Sequence, residues 1–294
     1  MTEDILIIMA PTRIQNEKKY HLWMSEIENK IIHSSYTKID IDFTECKFSH
    51  AVFTSFIGAL VVIGKHHNKV VRIRYNNESD VGQYFQKSGL TEYFRTGGTN
   101  ITNGYPYSIS FSPIDTGSDS IINYIERIIK LLPVRLEPAG EETLFLNFYE
   151  ICNNSAEHSY SKYGTYGCGH WMPSMKQLVF SLYDTGIGIP ALVREKVNHS
   201  FNSLEALQWA LRPGNSTKQL EGNAPRGLGL SNLLQFLDVS RNSLTIVSND
   251  LYFHYKEGRY EYAELPSPII GTFISISIKS DTEHWYTYEK RRTK

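Results

Sequence analysis

Glu150, Asn154 and His158 stand four residues apart in this 294-residue chain. Each step of four drifts only about 40° around a helix, so the three side chains would project along one face. The amide oxygen of Asn154 is a hard ligand suited to Mg2+. A carboxylate beside it, Glu150, can orient or deprotonate a nucleophile. Polar residues on a solvated helix face give the same spacing, so both readings stay open at this point.

Two further segments have ligand-binding chemistry. Asp184-Thr185-Gly186-Ile187-Gly188 follows an apolar run that ends at Tyr183. Two glycines in a turn let backbone come close to a ligand. An Asp at a strand end can accept a hydrogen bond from an exocyclic amine, as on adenine. An ordinary turn is the alternative. The third segment is Arg226-Gly227-Leu228-Gly229-Leu230-Ser231-Asn232, which leads into a helical pattern. Free N–H groups at a helix N-terminus and the helix dipole both favour an anion such as phosphate. No G-x-x-x-x-G-K-[ST] loop occurs in the chain, and no G-x-G-x-x-G follows a strand, so P-loop and dinucleotide-binding readings fall.

The order is more specific than any one segment: E-x-x-x-N-x-x-x-H, D-x-G-x-G, G-L-G-L, then Gly271-Thr272-Phe273 on a late strand pattern. Over residues 119–279 this resembles the GHKL ATPases, the superfamily of gyrase, Hsp90, histidine kinases and MutL. The resemblance implies a Bergerat-fold α/β sandwich that binds ATP and Mg2+ under a mobile lid. It implies that Asn154 holds the metal and that Glu150 is the catalytic base or positions water. It implies that Asp184 reads the adenine amine, that Gly186 and Gly188 line the base, and that Thr272 supports that end of the site. Gly227, Leu228, Gly229 and Leu230 would lie along the phosphates. The lid would be 191–226, where Arg194, Lys196, Arg212, Lys218 and Arg226 outnumber Glu195, Glu205 and Glu221. Lys218 and Arg226 are the first candidates to meet phosphate charge; a solvated charged loop is the plain alternative.

These segments need elements to hold them. Glu141 to Tyr160 reads as a long helix, and Gly167–Trp171 and Gln177–Tyr183 as a hairpin around Pro173-Ser174. Ser243–Ser248, Leu251–Tyr255 and Thr272–Ile278 read as further strands. Upstream, strand and helix signals alternate: strands at Ile5–Met9, Lys38–Phe43 and Val70–Arg74, helices at 16–34, 52–63 and 80–87. This is an α/β unit ending near residue 95. It resembles a STAS domain, the anti-sigma-factor antagonist fold, through KIDIDF, the helix after it and Lys87-Ser88-Gly89-Leu90. That resemblance makes Thr54 and Ser55 candidate phosphoacceptors, although the Asp that usually precedes the acceptor is absent. Residues 96–118, rich in Gly, Thr and Asn, read as a linker with one edge strand, and 280–294 as a solvated tail.

Composition bounds the function. Thirty Lys and Arg against 31 Asp and Glu leave a net charge of -1, which disfavours a nucleic-acid surface. No apolar run approaches the ~20 residues that span a bilayer, and the N-terminus lacks a signal-peptide pattern. Three scattered cysteines form no CxxC pair. The expectation is a cytoplasmic, ATP-binding regulator acting through protein partners, with homodimerisation an open possibility. It would hydrolyse ATP or phosphorylate a protein Ser or Thr. The alternatives are a nucleotide-sensing scaffold without turnover and, less favoured for want of a His-bearing helical hairpin, a histidine-kinase-like sensor. Gyrase-, Hsp90- or MutL-like machines need a following transducer domain that residues 279–294 are too short to form.

Overall fold

A computed structural model describes residues 4–97, 105–115, 119–157, 161–215, 229–238 and 242–286. The chain begins with Ile5–Met9 (β1), Arg13–Ile14 (β2), Lys18–His33 (α1), Lys38–Asp42 (β3), Phe48–Ser49 (β4), Thr54–His66 (α2), Val70–Arg74 (β5), Asp80–Lys87 (α3) and Leu90–Arg95 (α4). Strands β1, β3 and β5 form a parallel sheet in that order, and β2 pairs with β4. The KIDID alternation makes a strand, but its polar face is not open to water. Asp40 and Asp42 are buried, and register sets them beside Arg72 and Arg74 of β5. Arg72 grips Asp40 with two hydrogen bonds, 2.7 and 3.0 Å long. Charged pairs across neighbouring strands are one way a sheet tolerates a buried acid.

The rest of the chain comprises Ser108–Pro113 (β6), Asp119–Lys130 (α5), Val134–Leu136 (β7), Pro138–Glu157 (α6), Thr165–Met172 (β8), Gln177–Asp184 (β9), Ile189–Lys196 (α7), Ser203–Ala210 (α8), Gly229–Asp238 (α9), Ser243–Ser248 (β10), Leu251–Lys256 (β11), Arg259–Glu264 (β12), Thr272–Lys279 (β13) and Asp281–Tyr286 (β14). Seven strands form an antiparallel sheet in the order β12-β11-β10-β13-β9-β8-β6. The period-two rule then sorts its side chains. On β9, Leu178, Phe180 and Leu182 face α5, α6 and α9, while Val179 and Tyr183 face α1 and α2. Both faces are buried, so α1 and α2 lie between the seven-stranded sheet and the small parallel one.

The edge strand expected within 96–118 is present: Ser108–Pro113 is the edge strand of the large sheet, Phe111 is buried in the core shared with α2, and its amide bonds Ser88 O at 2.7 Å. A Cβ on Gly58 of α2 would come within 2.3 Å of the Phe111 ring, so the two segments pack as closely as a glycine permits. Residues 280–294 are not wholly a tail, because β14 pairs in parallel with β7. The three cysteines are buried and free. Among the described residues, no helix is long and apolar enough to cross a membrane.

Candidate functional site

A cleft opens where the ends of β9 and β13 meet α6, α7, α8 and the start of α9. Its empty space, counted out to bulk solvent, is about 860 Å3. Glu150, Asn154, Asp184, Gly188, Leu230 and Thr272 all line it. These residues come from four separate stretches of sequence, and the fold brings them to one place.

Glu150 and Asn154 are on α6 one turn apart, both partly exposed, on the face turned to the cleft. Asp184 ends β9 and is paired in register with Thr272 of β13. Even-numbered residues of β9 point to the α6 side, so Asp184 continues the Phe180–Leu182 row and emerges at the floor of the cleft. It is 5% exposed. Burial pushes its carboxyl up to about 7, against the opposing pull of the Gly186 and Thr272 amides. The Gly186 amide donates to Oδ1 at 3.0 Å.

The wall beside Asp184 is built by backbone capping across the sheet. The helix α7 starts after Gly188, at φ 85, with Pro190 in its first turn. Its free amides are satisfied by the β10–β11 turn. Ser248 Oγ accepts from Ile189 N at 2.9 Å, and Asn249 Oδ1 from Ala191 N at 3.0 Å. Asn249 Nδ2 returns a bond to Ile187 O at 2.9 Å. Ser248 Oγ also lies 2.8 Å from the Thr272 hydroxyl, which ties Thr272 to α7. Opposite, α8 begins with a capping box between Asn202 and Glu205 and brings Trp209 to the cleft. Asn215, also in the lining, donates to Trp209 O at 2.8 Å.

The other expected residues fall elsewhere. Gly186 does not line the cleft; its amide braces Asp184 instead. Gly229 opens α9. His158, Lys218, Arg226, Gly227 and Leu228 lie outside the described residues. Two lid cations are engaged elsewhere: Arg194 bonds Ser203 Oγ at 2.9 Å, and Lys196 lies 3.8 Å from Glu195. Thr54 and Ser55 are buried, at 1% and 0% exposure. Ser55 Oγ lies 2.7 Å from Ser181 Oγ of β9, and Thr54 Oγ1 lies 3.0 Å from the Tyr84 hydroxyl. A kinase cannot reach either hydroxyl while α2 is packed on the large sheet, so the phosphoacceptor reading is corrected for this conformation.

Sequence reasoning missed Trp209, Ser248 and Asn249. Asn249 had one signal, an Asn-Asp turn between two strand patterns; nothing local marks Trp209 as part of a site. The side chains present fit an adenine nucleotide with a hard cation: a buried carboxyl, apolar walls such as Ile187 and Trp209, and carboxylate and amide oxygens on α6 that could hold the cation. Among the described residues, no cluster of three His, Cys, Asp or Glu could hold a metal alone. Mg2+ normally takes one or two protein oxygens and completes its shell with phosphate and water. The chain matches no protein-family model, and no curated protein matches it.

Proposed function

We propose that this cleft binds ATP with Mg2+ in the manner of the GHKL ATPases, and that the chain is an ATP-binding regulator. In this reading the second part of the chain is a Bergerat-fold module and the first a STAS-like module. The observation that carries it is the convergence of Glu150, Asn154, Asp184, Gly188, Leu230 and Thr272 on one cleft, with a buried carboxylate at its floor. The motif order gave no reason for that meeting unless the segments serve one ligand. The β1-β3-β5 order with α2 after β3 supports the STAS-like reading of the first part.

Each residue then has a task. Asp184 accepts from the base amine, and the flat base lies against Ile187 and Trp209. Asn154 supplies a hard oxygen to Mg2+, which neutralises phosphate charge when bound. Glu150 orients and deprotonates the hydroxyl or water that attacks. Such phosphoryl transfer depends mostly on positioning and charge neutralisation.

Titration calorimetry with ATP, with and without Mg2+, tests binding, and phosphate release or protein labelling from γ-labelled ATP tests turnover. Glu150→Gln is expected to hold ATP affinity within about 2-fold and to lower turnover by about 100-fold or more. Asn154→Ala is expected to remove most of the Mg2+ enhancement of ATP binding, about 10-fold, while metal-free binding stays unchanged. A wild-type chain that binds ATP with Mg2+ but never turns it over would be a nucleotide-sensing scaffold instead.

A further inference from the structure

An acidic residue of the first part of the chain is buried against the second, next to the cleft but outside it. Glu28 is on the inner face of α1 and is 0% exposed. Among the described residues it forms no ion pair. Its contacts are to the large sheet: the Tyr183 hydroxyl bonds Oε2, and the Ile270 amide donates to Oε1 at 2.6 Å. The Tyr183 hydroxyl also lies 2.9 Å from Ile270 O.

The protons of this cluster can be arranged in two ways. The tyrosine hydroxyl has one proton and sits between two oxygens. If Glu28 is ionised, that proton serves the carboxylate and the contact to Ile270 O is left without one. If Glu28 is neutral, every group is matched. The acid donates to the tyrosine oxygen, the tyrosine to Ile270 O, and the Ile270 amide to the acid's carbonyl oxygen. Burial pushes the Glu28 carboxyl up to about 7, in keeping with the closed ring.

Both partners are next to the ligand-reading groups. Tyr183 precedes Asp184, and Ile270 precedes Gly271 and Thr272. Glu28 does not line the cleft.

We propose that Glu28 is a positioning residue: through Tyr183 and the Ile270 amide, α1 holds Asp184 and the Gly271–Thr272 turn in the arrangement that reads the base. The first part of the chain thereby sets how well the cleft discriminates its ligand. The inference rests on the adenine-nucleotide reading of the cleft.

The test compares the full chain and its variants by calorimetry with two probes, ATP and purine riboside triphosphate, which lacks only the 6-amine. The wild type is expected to prefer ATP by about 10-fold, the effect of one buried hydrogen bond to a charged group. Glu28→Leu is expected to reduce that preference to about 2-fold or less, with little change for purine riboside triphosphate. Glu28→Gln can rebuild the neutral ring, because its amide donates to the tyrosine and its carbonyl accepts from Ile270, and it is expected to keep the wild-type preference. Tyr183→Phe keeps the ring packing and removes the bridge; it is expected to lose part of the preference and decides the matter if Glu28→Leu does not fold. A folded Glu28→Leu, or failing that Tyr183→Phe, with the wild-type preference overturns the proposal. So does a Glu28→Gln that behaves like Glu28→Leu. Asp184→Asn, measured beside them, separates the failures. If the wild type shows no preference, or Asp184→Asn keeps it, the reading of the cleft falls and this proposal with it. If Asp184→Asn loses the preference and the Glu28 variants do not, only the role of Glu28 falls.

Discussion

Asp184→Asn is expected to lower ATP affinity by about 100-fold and, above pH 7, to make the ligand-free protein more stable than the wild type. The loss of affinity follows from the geometry. The Gly186 amide donates to Oδ1 at 3.0 Å, so the asparagine keeps its oxygen there and puts an NH2 in place of the second carboxyl oxygen. A donor then faces the donor of the base. The gain in stability follows from burial. The carboxyl of Asp184 is pushed from 3.8 up to about 7, so the folded chain holds that proton more tightly than the unfolded chain does. A raised folded value means stability is fully present below pH 4, falls as pH rises toward 7, and stays at its lower level beyond. The loss is on the order of 2–4 kcal/mol. Asparagine carries no such proton, so the difference in Tm between variant and wild type should widen from pH 5 to pH 8. Glu28, with its carboxyl also pushed up to about 7, contributes a slope of the same sign. Both proteins carry it, so the difference cancels it. Binding offers a second check. If the base amine favours the ionised acid, ATP binding to the wild type near pH 7 releases a proton, and the calorimetric heat varies with the ionisation heat of the buffer. Asp184→Asn should show no such release.

The same site shows which parts of this molecule local sequence can reveal. β1, β5, α3 and β10 run between the residues their patterns indicate. Each is short, strongly alternating or well bounded: α3, for example, starts at Ser79, whose side chain accepts from Gly82 N at 3.1 Å. The strands that escaped detection are those whose existence depends on a distant partner. β6, by contrast, was expected as an edge strand and is one: β8 pairs with it, through a register shift between Ile109 and Ser112. β12, RYEYAE, is exposed along nearly its whole length, so no alternation of apolar residues marks it. β14 pairs with β7 from the far end of the chain.

The site divides along the same line. Glu150, Asn154, Asp184, Gly188, Leu230 and Thr272 touch the cleft themselves and occur in ordered motifs, so they could be read. Ser248, Asn249, Trp209 and Tyr183 act by holding those residues or closing around them, and only packing reveals that. Glu28 is the intermediate case. It is four residues after Met24 and three before Ile31, on the buried face of an amphipathic helix. A lone acid on an apolar face requires a buried partner, and that signal was present in the sequence. What it could not reveal was the partner, because two core-forming units turn out to share one sheet.

Gly271→Ala should have the most severe effect of any single methyl group added near the cleft. Gly271 has φ +70, a conformation that costs an L-residue roughly 1 kcal/mol or more by itself. The new Cβ would lie 2.2 Å from Asp184 O, 2.5 Å from Gly186 N and 2.8 Å from Asp184 Oδ1. Two of those atoms are backbone and the third belongs to the Asp184 carboxyl, itself held by the Gly186 amide, so no flexible side chain can move aside. The Gly271 carbonyl is also fixed, since it accepts from Ser248 Oγ at 3.0 Å and Asn249 N at 3.3 Å. The strain must therefore push β13 away from β9 or turn Asp184 out of the floor. We expect a loss of about 3 kcal/mol or more in stability, measured by urea unfolding, from clash and strain together. ATP binding should fall below detection even where the chain still folds. Gly258→Ala is the matched control: its φ is +73, but nothing lies within 4 Å of the added Cβ. It carries the same backbone penalty without the clash, so it should lose about 1 kcal/mol and keep its affinity. The difference between the two variants isolates the close approach of the Gly271 turn to Asp184, the contact through which β13 gives that carboxyl its place at the cleft floor.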